Sequence, residues 1–305
     1  MLNGIFIINK EAGYTSHDVV AKLRGITQQR RIGHTGTLDP DARGVLPICF
    51  GKGTKVCELL TNKDKVYLTT LLLGKTSDTQ DGSGKILSEA CTAHLTEDEV
   101  VNCIGGFVGE SNQIPPMYSA LKVNGKKLYE LAREGKEVER QPRRVLIHEI
   151  NILEVDLPRV KMEIKCSKGT YIRTICHDIG VKLDCGGLME ELWRTKVGDF
   201  TLDRAITIDE FRDRFSKGQI EEVLCKVDSV FLEYPEMVLR KGYESLAYNG
   251  NLLSGNMFSL SINLQEGERI RVYDVFQNFI GIYQQVESGN GEIKYKIEKM
   301  FYERE

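Results

Sequence analysis

The chain has 305 residues, 41% of them apolar and 28% charged, with a formal net charge of −3. This balance excludes a disordered chain and lacks the overall basic excess that a dedicated nucleic-acid binder often carries. The length allows one large domain with a smaller one beside it.

No stretch approaches the roughly 18 consecutive apolar residues of a membrane span. Met1 to Lys10 has neither the basic n-region nor the small-residue cleavage site of a signal peptide and reads as a first strand. The eight cysteines contain no CxxC pair and no zinc-spaced cluster with histidine. Reduced thiols, a cytoplasmic location and no structural metal are expected.

In chain order, Gly4 to Asn9 reads as a buried strand, followed by a glycine turn and a helix capped by Ser16 with Val19, Val20, Leu23 and Ile26 on one face. Arg30 to Gly44, RRIGHTGTLDPDARG, is rich in glycine and has no apolar periodicity, so a long loop is expected there. Loops of that length in compact domains are functional or disordered, and the apolar run Val45 to Phe50 behind it favours the ordered option. Strands are expected at Lys65 to Leu73, Val145 to Val155 and Val160 to Cys166.

Helices are expected at Thr96 to Ile104, with Glu99 completing a capping box, at Lys126 to Glu134, and at Thr170 to Leu183. This interspersion without regular βαβ spacing predicts an α+β fold on a mixed, largely antiparallel sheet. After Tyr234-Pro235 the texture changes to short β runs at Met257 to Ile262, Arg269 to Val275 and Phe279 to Gln284, which predicts a small β-rich domain over 235–305 behind a catalytic domain over 1–234. No heptad or similar association signal stands out, so a monomer is expected.

Four stretches carry candidate chemistry. In GHTGTLDP, Asp39 precedes Pro40, which restricts the backbone of both residues; the aspartate is either the cap of an ordinary turn or a carboxylate held in fixed geometry. In SKGTYIRT, Arg173 stands near the start of a helix, where the dipole favours anions, so it either has a carboxylate or phosphate partner or is a plain surface arginine. In Gln113 to Gly135, Tyr118 and Tyr129 alternate with Lys122, Lys126, Lys127 and Arg133, as in a surface that stacks bases beside phosphates, although core tyrosines with solvated lysines have the same pattern. Tyr67 is a lone aromatic in the aliphatic strand KVYLTTLLLG, and packing alone accounts for such a residue.

GHTGTLDP, the Lys65 to Tyr67 element, the Gln113 to Gly135 block, SKGTYIRT and LWRTKVGDF at Leu192 to Phe200 resemble, in order and spacing, the TruB family of tRNA pseudouridine synthases. The resemblance is close from Gly4 to about Phe200 and loose beyond. It implies that Asp39 is the catalytic carboxylate for isomerising uridine 55 in the T arm of tRNA, without a cofactor. It further implies that Arg173 keeps Asp39 ionised, His34 holds the disrupted RNA, Tyr67 stacks on the extruded base, and Tyr171 with Leu192 completes the uracil pocket.

By the same resemblance, the C-terminal part is similar to a PUA-type domain that touches the acceptor end of tRNA; a β appendage that only supports folding remains the other reading. Asp41, Arg43, Trp193 and Asp199 depart from the family pattern. Asp41 would raise the Asp39 pKa if the two face each other, with Arg43 as the neutralising charge. The alternative to the enzyme is a tRNA-folding chaperone whose isomerase activity is secondary or lost.

Overall fold

The computed structural model describes residues 1–123, 125–287 and 292–303. It divides into two compact units, the larger made of Phe6–Ile48 and Cys57–Glu222 and the smaller of Met1–Ile5, Cys49–Val56 and Val223–Glu305.

The first part of the chain lays down β1 (Gly4–Lys10), α1 (Ser16–Thr27), β2 (Ile32–His34), β3 (Arg43–Phe50), β4 (Lys65–Leu73), α2 (Glu97–Gly105) and β5 (Gly109–Gln113). It continues with α3 (Leu128–Arg133), β6 (Arg143–Asp156), β7 (Arg159–Cys166), α4 (Ile172–Lys182), β8 (Gly187–Val197) and β9 (Phe200–Thr201). Nine strands form one sheet in the order β1-β3-β8-β4-β7-β6-β5, with β2 on β3 and β9 on β8. β8 runs parallel to β3, while each pair from β8 through β4, β7 and β6 to β5 is antiparallel. The fold is therefore α+β on a mixed, largely antiparallel sheet.

Simple patterns explain the elements that carry the site. β4 alternates strictly, with Lys65, Tyr67, Thr69, Leu71 and Leu73 buried on one face. α4 buries Ile172, Ile175, Cys176 and Ile179, a helical stripe in which each isoleucine stabilises by about 1.5–3 kcal/mol. The stripe reaches β8 closely because Gly180 has no side chain; a Cβ there would overlap the backbone of Gly186 and Gly187.

Several sequence expectations change in detail. The cap of α1 is Thr15, not Ser16, because Thr15 and Asp18 close a reciprocal capping box while Ser16 turns inward and is buried. The helix expected from Lys126 starts only at Leu128, since Lys126 and Lys127 pair with Val123 and Lys122 in a small hairpin. The loop from Arg30 to Gly44 contains the short strand β2.

In the smaller unit, β10 (Glu236–Val238), β11 (Leu253–Ser254), β12 (Arg269–Tyr273), β13 (Phe279–Glu287) and β14 (Ile293–Met300) form a sheet in the order β10-β12-β13-β14-β11. Its core includes Met237, Phe258, Ile270, Ile280, Tyr283 and Tyr295. Met257 to Ile262 is not a strand: Gly255–Met257 is a 3-10 turn, and Phe258 makes a single bridge to Leu239 and anchors in the core. β14 is an addition to the expected strands, with Ile293, Tyr295 and Ile297 alternating with lysines and a glutamate.

Candidate active site

Asp39 lies in the loop between β2 and β3, and the residues on either side of it are tied down. The Leu38 N–H donates to Ser16 Oγ at 2.9 Å. The Pro40 carbonyl accepts from the Gly13 N–H at 3.0 Å and from Lys10 Nζ at 2.8 Å. Lys10, fully buried at the end of β1, also donates to the carbonyls of Tyr14 at 2.7 Å and Glu11 at 2.9 Å. Three acceptors match the three donors of an ammonium. Burial lowers the Lys10 pKa to about 8, against the upward pull of Asp39 and Asp41.

Arg173, in the first turn of α4 and 5% exposed, forms a fork between two carboxylates: its Nη2 is 2.7 Å from Asp39 Oδ2 and its Nη1 is 3.5 Å from Asp81 Oδ2. A cation at that end of a helix opposes the dipole, and two acids offset the cost. The two acids differ in how much of their bonding capacity is already used. Asp81 Oδ1 accepts from Thr79 Oγ1 at 2.7 Å, Ser83 Oγ at 2.6 Å and Ser83 N–H at 3.0 Å. Asp39 keeps 36% of its side chain exposed and is the open member of the pair.

Burial pushes the Asp39 pKa up, Arg173 holds it down, and Asp81, Lys10 and Asp41 follow with smaller effects up, down and up. Protein atoms crowd the carboxylate without enclosing it, so partial loss of water raises the pKa while solvent still screens the ion pair. Arg43 sets its guanidinium over the Trp193 ring at 5.3 Å.

Tyr67 is buried on β4, opposite Ile164 of β7 and Arg194 of β8. Burial raises its pKa and Arg194 opposes the rise. Tyr171 is the N-cap residue of α4 but makes no side-chain cap of its own. The Gln113 amide clamps its backbone instead: Oε1 accepts the Tyr171 N–H at 2.8 Å and Nε2 donates to the Tyr171 carbonyl at 3.0 Å. Burial raises the Tyr171 phenol, and both Arg173 and Asp39 lie within electrostatic reach of it.

The structure thus brings Asp39, Arg173, Tyr67 and Tyr171 into one electrostatic neighbourhood. His34, half-buried at the end of β2, pairs with His17, its Nε2 3.3 Å from His17 Nδ1. Burial lowers the His34 pKa and His17 adds to the effect. Leu192 is half-buried on β8 opposite Thr69. Lys122 and Lys126 are exposed on the small hairpin. Lys127 and Arg133 set their cations 5.3 Å and 5.4 Å from the Tyr129 ring centre.

Asp81, Lys10 and the clamp by Gln113 have no signal of their own in the sequence. TSDTQDGSG reads as a polar turn, and its bond from Asp81 to Arg173 spans 92 residues. Lys10 closes an apolar strand, where a lysine is ordinarily a solvated end.

The same fold occurs in the structure of an H/ACA RNP bound to a substrate RNA containing 2′-deoxyuridine, with TM-score 0.73 and 22% identity over 99% of this chain and 86% of that one. It occurs also in a Cbf5-Nop10-Gar1 complex, with TM-score 0.72 and 24% identity over 98% of this chain and 85% of that one. At 22% and 24% identity these likenesses define the fold.

Residues 24–172 match the model of the TruB family pseudouridylate synthase N-terminal domain, and residues 173–232 match that of the tRNA pseudouridylate synthase B C-terminal domain. A tRNA pseudouridine synthase B from Lachnoclostridium phytofermentans is 48% identical, covering 98% of this chain and 100% of the relative. One from Clostridioides difficile is 42% identical over the same shares. The chain belongs to the TruB family of pseudouridylate synthases.

Proposed function

We propose that the chain isomerises uridine 55 in the T arm of tRNA to pseudouridine, with Asp39 as the catalytic carboxylate acting on an everted nucleotide. The observation that carries this reading is the Arg173 fork, which joins the open Asp39 to the hydrogen-bonded Asp81. A carboxylate stabilises a developing charge or attacks only when ionised, and a fixed guanidinium keeps it ionised where water is scarce. The names of the relatives, tRNA pseudouridine synthase B, support the substrate class.

In the reaction the C1′–N1 bond breaks, the uracil turns within the pocket and C1′ bonds to C5. N1 gains a proton and C5 loses one, so no redox step enters. Tyr67 stacks on the base, Tyr171 and Leu192 complete a flat pocket that permits rotation, and His34 holds the RNA opened by eversion. Lys122, Lys126, Lys127 and Arg133 meet backbone phosphates, with Tyr129 between the last two. The β-rich region over 235–305 is a PUA-like domain that reaches the acceptor end.

The test is tritium release from unmodified tRNA labelled at C5 of uridine, comparing the wild type with Asp39→Asn and with a transcript carrying cytidine at position 55. Release by the wild type alone is expected, with a loss on the order of 10⁴-fold or more in the variant and none from the altered transcript. Release by Asp39→Asn at the normal rate overturns the role of that residue. Tight binding without release by either chain points to the chaperone.

A further inference from the structure

Arg194, in the middle of β8, is 1% exposed, and among the described residues the hydrogen-bond partners of its guanidinium are neutral oxygens. Its Nε donates to the Val45 carbonyl at 2.7 Å. Its Nη1 and Nη2 reach the carbonyls of Thr37 and Gly36, each at 3.5 Å. Its charge also lies within electrostatic reach of the Tyr67 phenol, which stands across from it in the sheet.

The sheet register creates this meeting point. Arg194 stands opposite Tyr67 on β4 and opposite Gly44 on β3. Gly44 has φ +103°, and a Cβ there would overlap the Arg194 carbonyl, so the close approach requires glycine. One side chain therefore reaches the entry leg of the Asp39 loop at Gly36 and Thr37 and the exit leg at Val45, and its residue stands directly opposite the aromatic residue of the neighbouring strand.

Burying a cation without a counter-charge is costly, and an apolar side chain of similar volume avoids that cost. Stability alone gives no reason for an arginine here. We infer that Arg194 is a positioning residue, a splint that holds the Asp39 loop and Tyr67 in one fixed relation. This rests on the proposed roles of Asp39 and Tyr67. A displacement of about 1 Å at a reacting group costs on the order of a hundredfold in rate.

The experiment is a double-mutant cycle. Single-turnover tritium release at saturating enzyme is measured for wild type, Arg194→Lys, Tyr67→Phe and the double variant, below the melting transition of each, with tRNA affinity measured separately. Arg194→Lys keeps the charge and loses the planar fork. It should release tritium roughly a hundredfold more slowly, with affinity changed by less than about threefold, and should cost less than about tenfold when residue 67 is phenylalanine.

A normal rate in Arg194→Lys, equal losses in both backgrounds, or a loss confined to affinity overturns the proposal. Should Arg194→Lys fail to fold, hydrogen exchange of the amides of residues 36–39 and 41–45 in Tyr67→Phe decides: faster exchange than wild type supports the splint, and unchanged exchange overturns it. Tritium release by Asp39→Asn overturns the reading of Asp39, while the cycle alone decides Arg194.

Discussion

Two aspartates in turns of this chain meet opposite fates. Asp274, in the turn between β12 and β13, is fully buried and satisfied mostly by its own turn: Oδ1 accepts the Phe276 and Asn278 N–H groups at 2.8 Å and 2.9 Å. Its Oδ2 accepts Asn278 Nδ2 at 2.9 Å and the Tyr248 hydroxyl at 2.7 Å. Burial works to raise its pKa, but the bonds from Asn278, Tyr248 and Phe276 outweigh it and hold the carboxyl below its ordinary value. Asp39 has a raised pKa, an arginine far along the chain but in direct contact as its main counterweight, and open surface. An acid whose oxygens are filled by fixed donors is structural, whereas one balanced between lost water and a single ion pair keeps bonding capacity open.

The contrast is open to direct attack. After loss of Asp39 itself, the largest effect is expected from Arg173→Met, which removes the shared cation and leaves Asp39 beside Asp81. Tritium release should fall on the order of 10³-fold, and urea denaturation should show a loss of about 2–3 kcal/mol, less than for a fully enclosed pair because Asp39 is partly open. Near-normal turnover would mean that the arginine does not maintain the carboxylate. Asp274→Ala should do the reverse: it strands four donors and costs about 3 kcal/mol in urea denaturation, while the rate per folded molecule stays at the wild-type level.

The smallest effect, and the sharpest in sign, lies in pH. The folded pKa of Asp39 is raised, so its contribution to stability is full below the unfolded pKa of about 3.9 and is lost as pH rises through the folded value. That of Asp274 is depressed, so its contribution is present above about 3.9 and is lost as pH falls through the folded value. Relative to wild type, Asp39→Asn should therefore gain stability as pH rises, and Asp274→Asn should lose it. Urea midpoints of the three chains across the acid range check this, and equal slopes for the two variants would erase the distinction.

Much of the scaffold is legible in the sequence alone. The alternation of Lys65 to Leu73 marks β4 to the residue, and the capping box at Thr96 marks the start of α2. The four motif stretches mark where candidate chemistry sits. The legible signals are short in range, because strand period, helix stripe and cap are set by residues within a few positions.

What the chain order could not reveal depends on partners far apart in it. The Arg194 bond to Val45 spans 149 residues, the Gln113 clamp on Tyr171 spans 58, and the reach of Lys10 to Pro40 spans 30. Whether Ser16 caps its own helix or braces Leu38 is likewise decided by a neighbour that arrives only on folding.

The sequence by itself determined the long strands and helices of the larger unit, the glycine and proline positions of the loop, and the family through its motifs. Tertiary structure alone decided which oxygens surround each buried cation and which aspartate retains open surface. Side-chain pairing across a sheet depends on strand order and register, and no local pattern encodes these.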